Sequence, residues 1–231
     1  MVHQLPLGIG FRHQATLDNF LGTANREPVR ALKRALEGQG EHFVFLWGTP
    51  GCGRSHLLAA TCRAAESRGL ASGYVPLGAP DVQPALLEGL EQGDVLCLDD
   101  IQQIAGSAAW ETALFHLYNG CRDKGGLLVV SADAAAAKLP LQLADLKSRL
   151  SWGISFRIHA LGDEDRLVLL GELARERGLE LDEEAARYLL HRCPRDTASL
   201  VRLMERLDAA ALAAQRRLTI PFIRTQIAES G

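Results

Sequence analysis

The sequence predicts an α/β fold: a five-stranded parallel sheet with helices on both faces, followed by a small all-helical domain. Three observations carry this reading. Short apolar runs alternate with helical patterns between residues 43 and 158, the order of a parallel sheet built from strand–helix–strand units. The first run, Phe43-Val44-Phe45-Leu46-Trp47, ends in Gly48-Thr49-Pro50-Gly51-Cys52-Gly53-Arg54-Ser55-His56, and a helical pattern begins at once. From Gly162 onward the pattern is helices alone.

Composition bounds the rest. A chain of 231 residues with 47% hydrophobic content can build one ordinary domain plus a small satellite, and is not disordered. The net charge of −3 argues against a protein whose main task is coating DNA. Cysteines 52, 62, 97, 121 and 193 are scattered, odd in number and form no C-x-x-C pair. They read as reduced thiols of a cytoplasmic protein without a zinc site. No stretch is long and apolar enough to span a membrane, and the N-terminus lacks a signal-peptide core.

Residues 1–15 read as a tail. Within it, Gln4-Leu5-Pro6-Leu7-Gly8-Ile9 is short, mostly apolar and near a free end. Such a peptide either docks elsewhere or folds back on its own domain, and the residues alone favour the second. Phe20 lies upstream of the glycine-rich loop, where it fits a base pocket or a hydrophobic staple. Asn25 is placed to cap a helix through Ala35, with Pro28 in its first turn.

Residues 48–56 follow the phosphate-loop pattern G-x-x-x-x-G-K-[ST] with one departure. Glycines let backbone N–H groups converge on phosphate oxygens, and the helix start behind them adds a positive dipole end. Ser55 stands where a hydroxyl ligates Mg²⁺. Arg54 replaces the lysine. Arginine is planar and grips phosphate as a fork, whereas lysine is a compact charge beside the β and γ phosphates. Nucleotide binding is therefore expected to survive, with weak or no hydrolysis by this chain.

A second strand follows at Ser72–Leu77, then a helix from about Asp81 to Glu91. Asp94-Val95-Leu96-Cys97-Leu98 forms the next strand and ends in Asp99-Asp100. Asp99 is suited to hold Mg²⁺ through water, and Asp100 to orient the attacking water. A helix from about Ala108 to Arg122 precedes the strand Gly126–Ser131. That strand ends in Ser131-Ala132-Asp133, where Asp133 either senses a γ-phosphate or caps a turn. Leu143–Leu150 is helical, Ser151-Trp152-Gly153 breaks it, and Ile154–Ile158 is the fifth strand. Ligand loops gather at the C-terminal strand ends. Beyond residue 161, Asp163, Asp182 and Asp196 are each placed to cap a helix, and Thr219 with Pro221 starts a final short one.

These features together resemble the AAA+ ATPases, and among them the bacterial replication initiator DnaA. The matching stretches are Gly48–His56, Leu98-Asp99-Asp100-Ile101-Gln102, Ser131-Ala132-Asp133 and Leu146-Lys147-Ser148-Arg149-Leu150-Ser151-Trp152-Gly153. Coverage runs from about Thr16 to the end. DnaA has a longer N-terminal region, a P-loop lysine and a C-terminal helix-turn-helix domain for which this chain leaves no room. Arg54, the short tail and the end at Gly231 resemble instead the Hda family, the DnaA homologues of regulatory inactivation of DnaA.

The resemblance implies a division into a tail (1–15), an AAA+ α/β domain (16–160) and a helical lid (161–231). It implies a clamp-binding peptide at Gln4, Leu5, Pro6 and Leu7 for the β sliding clamp of DNA polymerase III. Gly8 stands where a proline or leucine is common, which leaves the register of that peptide open. It implies ADP (or ATP) with Mg²⁺ at residues 48–56, and Arg202 of the lid reaching that nucleotide, with Arg195 a second candidate. It implies Arg149 as an arginine finger offered in trans to ATP on DnaA, DNA reached through the clamp, and self-association as a further partner state. The implied function is negative regulation of replication initiation. The alternatives are a helicase-loader-like or stand-alone AAA+ ATPase, a P-loop kinase, and a clamp adaptor whose nucleotide is only structural.

Overall fold

The computed structural model describes residues 15–193, 196–214 and 217–228. Gln4, Leu5, Pro6, Leu7 and Arg195 lie outside the described residues. The chain divides into two compact units, with the boundary between His159 and Ala160.

The first unit is built on a parallel sheet of five strands in the order β2-β3-β4-β1-β5. The strands are β1 (Phe43–Trp47), β2 (Ser72–Pro76), β3 (Val95–Asp99), β4 (Leu127–Ala132) and β5 (Ile154–Arg157). The inner strands are apolar almost throughout because both faces of the sheet are covered. In β1, Phe43 and Phe45 enter one core, and Val44 and Leu46 enter the other. Helices α1 (Arg26–Leu36) and α2 (Arg54–Glu66) cover the Val44 face through Leu32, Leu36, Leu57 and Leu58. Helices α3 (Ala108–Lys124) and α4 (Ala144–Leu150) cover the Phe43 face through Leu114, Leu117, Leu146 and Leu150. Gly153 lets β5 close on β1: a Cβ there would stand 2.5 Å from the Phe43 ring and 2.6 Å from its carbonyl oxygen.

Two local expectations give way to tertiary demands. Residues 81–91 are two 3₁₀ turns, Pro84–Leu87 and Leu90–Gln92, rather than one α-helix. Pro84 forces Gln83 into an extended conformation, and Gly89 takes a left-handed one at φ 82°, so no regular helix crosses the segment. Asn25 precedes α1 but makes no side-chain cap. Its Nδ2 donates to the His159 carbonyl at 2.9 Å, and its Oδ1 accepts from the His159 N–H at 2.9 Å. The amide of Asn25, 2% exposed, therefore satisfies both backbone groups of the residue that ends this unit.

The second unit contains α5 (Asp163–Glu176), α6 (Glu183–Arg192), α7 (Thr197–Ala214) and α8 (Ile220–Ala228). Helix α5 packs on α6 and α7, and α8 on α6 and α7, around Leu170, Leu173, Leu189, Leu200, Met204 and Ile223. Asp182 caps α6 by accepting from the Ala185 N–H at 2.7 Å, and Asp196 caps α7 by accepting from the Ser199 N–H at 2.9 Å. Asp163 does not cap α5: Gly162 holds that position, and Asp163 pairs with Arg166 at 2.6 Å inside the first turn.

Asn25→Ala removes both bonds and leaves the N–H and C=O of His159 without these partners. The expected loss is about 2 kcal/mol, read as a lower midpoint in urea unfolding.

Candidate nucleotide-binding site

The loop that joins β1 to α2 is set by its backbone. Gly53 precedes α2 in a left-handed conformation, φ 104°, and a Cβ there would meet the Phe20 ring at 2.6 Å. Only glycine combines that conformation with that approach. The amides of Gly51, Gly53 and Ser55 have no acceptor among the described residues. They surround the N-terminus of a 13-residue helix, which makes an anion-binding concavity. Phe20 also tilts against His56, with ring centres 5.3 Å apart. His56 Nε2 faces the Thr16 carbonyl at 3.2 Å and Asn19 Oδ1 at 3.1 Å. Phe20 thus lines the loop from the side, beside the helix start. Thr49, Pro50 and Gly51 are exposed at its tip, and Cys52 is buried beneath it with its thiol pKa pushed up by burial.

Arg54 turns inward, away from the exposed tip of the loop. It is 8% exposed. Its Nη1 donates to the Gly48 carbonyl and to the Ala132 carbonyl, the latter at 2.6 Å, and its Nη2 pairs with Asp100 Oδ1 at 2.8 Å. The fork expected to grip phosphate is filled from within the protein. Asp100 is held as firmly. Among the described residues it is the non-glycine residue with positive φ, at 61°. Its Oδ1 accepts also from Gln102 Nε2 at 2.8 Å, and its N–H donates to Ser131 Oγ at 2.9 Å.

Asp99 is 4% exposed at the end of β3. It accepts from Tyr74 Oη at 2.6 Å and from Ser131 Oγ. Burial and the Asp99 carboxylate raise the Tyr74 pKa, and a hydrogen bond with Ser55 opposes that rise. Ser55, Tyr74, Asp99 and Ser131 therefore form one connected polar set. Asp133 is exposed and joins through its backbone, which donates to Gln102 Oε1 at 3.1 Å.

The residues present fit a nucleotide. Free loop amides and the helix start would take phosphate oxygens. The Ser55 hydroxyl and the Asp99 carboxylate would hold Mg²⁺ and its waters, supplying charge neutralisation at the phosphates.

Arg149 is elsewhere. It closes α4, with its guanidinium between the rings of Phe115 at 5.8 Å and Trp152 at 5.2 Å. It has no acidic partner among the described residues, and Trp152 is 62% exposed. Residues 151–153 lead into the start of β5, and Gly153 abuts Phe43, the first residue of β1. The glycine-rich loop follows Trp47, the last residue of β1. Arg149 and the loop thus lie at opposite ends of the sheet, about 13 Å apart along β1 at ~3.3 Å per residue. Arg202 of α7 is exposed and donates to Ser199 Oγ at 2.9 Å.

Sequence reasoning missed Tyr74 and Gln102 as members of the site. A signal for Tyr74 existed: Cys97 and Asp99 share a face of β3, and Tyr74 is the register partner of Cys97. A buried carboxylate at Asp99 demands donors on that face. Gln102 lay in a loop, with no periodicity to place its amide.

Arg54→Ala strips two carbonyls and Asp100 of their donor. The expected cost is about 2–3 kcal/mol, measured by chemical denaturation without nucleotide. Arg54→Lys, reaching fewer acceptors, is expected to recover part of it.

Residues 82–157 match the family model of the bacterial DnaA ATPase domain, and residues 163–227 match that of the Hda lid domain. AMPPCP-bound DnaA from Aquifex aeolicus is 27% identical over 85% of this chain and 66% of its own, with a TM-score of 0.72. This chain therefore spans about two thirds of that DnaA. Domain III of DnaA from Thermotoga maritima superposes with a TM-score of 0.79 at 20% identity, over 94% of this chain and 97% of that domain. The RuvB Holliday-junction branch-migration motor of Thermotoga maritima gives 0.70 at 21% identity, over 93% of this chain and 71% of its own. The last two establish the AAA+ fold alone. A segment like the bacterial DnaA ATPase domain followed by an Hda lid domain matches Hda, the DnaA-homologous regulator.

Proposed function

We propose that this chain is a negative regulator of chromosomal replication initiation that stimulates ATP hydrolysis by DnaA from the DNA-loaded sliding clamp. The observation that carries the reading is the placement of Arg149 at the sheet end opposite the glycine-rich loop. A cation so placed does not serve its own nucleotide, and it has no acidic partner to neutralise it among the described residues. Head-to-tail packing, as between successive AAA+ subunits, would bring it to the ATP of a DnaA neighbour. Neutralising charge on a transferring γ-phosphoryl group in this way accounts for roughly 10³–10⁵ in rate, or about 4–7 kcal/mol of barrier.

The chain's own nucleotide, ADP in this reading, is held and not turned over. Arg54 and Asp100 are committed to one another, so neither a P-loop cation nor a water-orienting carboxylate is available for hydrolysis. Phe20 would meet the base. Arg202 and Asp133 are the remaining candidates for contact with the nucleotide. Gln4-Leu5-Pro6-Leu7 would dock on the clamp, bringing the protein to DNA only indirectly and raising its effective concentration near DnaA. Self-association by the same head-to-tail contact would hide Arg149 until DnaA competes for it.

The test is single-turnover hydrolysis of ATP prebound to DnaA, with this protein, ADP and DNA-loaded clamp. The expected result is an acceleration of at least 10²-fold that disappears in Arg149→Ala and in a form lacking residues 1–10. Absence of acceleration under every condition contradicts the role and favours a helicase-loader-like ATPase.

A further inference from the structure

Helix α4, which carries Arg149, has seven residues. A helix that short does not hold its own direction in water, so its aim depends on what anchors it. Leu146 and Leu150 anchor its buried face. Its start is anchored by one carboxylate. Glu111, on α3, is 1% exposed. Its Oε2 accepts from the Leu143 N–H at 2.7 Å and from the Gln142 N–H at 2.9 Å, and its Oε1 accepts from the Gly106 N–H at 2.7 Å. Leu143 is the residue that precedes α4, so Glu111 reaches across to the two amides that lead into another helix. One turn further along α3 stands Phe115, whose ring lies against the Arg149 guanidinium. Residues four apart share a helix face. The same face of α3 thus holds both ends of α4, by a buried charge at the start and by a ring at the finish.

We infer that Glu111 is a positioning residue for Arg149, fixing the direction of α4 so that the guanidinium is presented to a partner's nucleotide. This rests on the finger reading above. A carboxylate is required because all three donors are backbone N–H groups. A glutamine offers one accepting oxygen and turns an NH₂ toward a donor. Nothing in the nucleotide loop touches Glu111. Its removal is therefore expected to act on the reaction in trans and not on nucleotide binding by this chain.

The experiment uses the full chain as Glu111→Gln, with Arg149→Ala and wild type alongside, in single-turnover hydrolysis of ATP held by DnaA on DNA-loaded clamp. Hydrogen exchange of each free protein is followed in parallel. For Glu111→Gln the maximal rate is expected to fall at least tenfold. The half-saturating concentration should change less than threefold. Faster exchange should be confined to residues 106–107 and 142–150, with the β1 and β4 amides unchanged. A wild-type maximal rate in Glu111→Gln, with Arg149→Ala inactive, overturns the inference and leaves the finger standing. A rate loss accompanied by faster exchange throughout the sheet also overturns it, since Glu111 would then be a stability residue alone. Full activity in Arg149→Ala removes the finger, and the inference with it. Should Glu111→Gln fail to fold, Glu111→Asp, which keeps the charge but shortens its reach, is put through the same measurements with the same expected and contrary results.

Discussion

The nucleotide-binding unit depends on how Arg54 is satisfied. A guanidinium buried at the end of a sheet must find acceptors, because an unpaired buried charge is prohibitively costly. Here it finds the first carbonyl of the glycine-rich loop, the last carbonyl of β4 and the Asp100 carboxylate. Those acceptors come from three separated stretches of chain, so one side chain ties the loop, β3 and β4 together. The left-handed conformation of Asp100 is tolerable for aspartate, and it is held by Arg54, Gln102 and Ser131. A lysine has a single nitrogen and could not span the same set. The substitution that defines this loop thus exchanges a mobile phosphate-facing cation for a fixed internal tie.

That exchange separates two properties that usually travel together. The amides and helix start that would recognise phosphate have no acceptors among the described residues. The groups that would promote hydrolysis, a cation at position 54 and a carboxylate at position 100, neutralise one another. Meanwhile Arg149, which has no acidic partner among the described residues, is carried to the far end of the sheet on a short helix whose start is tied down by Glu111.

Much of this was legible in the residues. Continuous apolar runs identified strands buried on both faces, and β1 begins and ends where its pattern does. The loop pattern marked the turn from β1 into α2, and the change to purely helical periodicity near Gly162 lay close to the boundary after His159. The unread part has a common cause. Side-chain amides and carboxylates are assigned by local rules to caps and turns, yet Asn25 is consumed by His159 across 134 positions of chain and Glu111 by amides 31 and 32 positions away. No local period encodes such pairings. The helix expected at residues 81–91 failed for a local reason, since Pro84 and Gly89 fall too close together for α-helical turns between them.

The most direct measurement is a structure, by cryo-electron microscopy, of this chain with ADP bound to DnaA carrying AMPPCP on clamp-loaded DNA. The Arg149 guanidinium is expected within hydrogen-bonding distance, about 3 Å, of the terminal phosphate held by DnaA, with Arg54 still paired to Asp100 in this chain's own site. A complex in which another residue faces that phosphate and Arg149 meets solvent would contradict it.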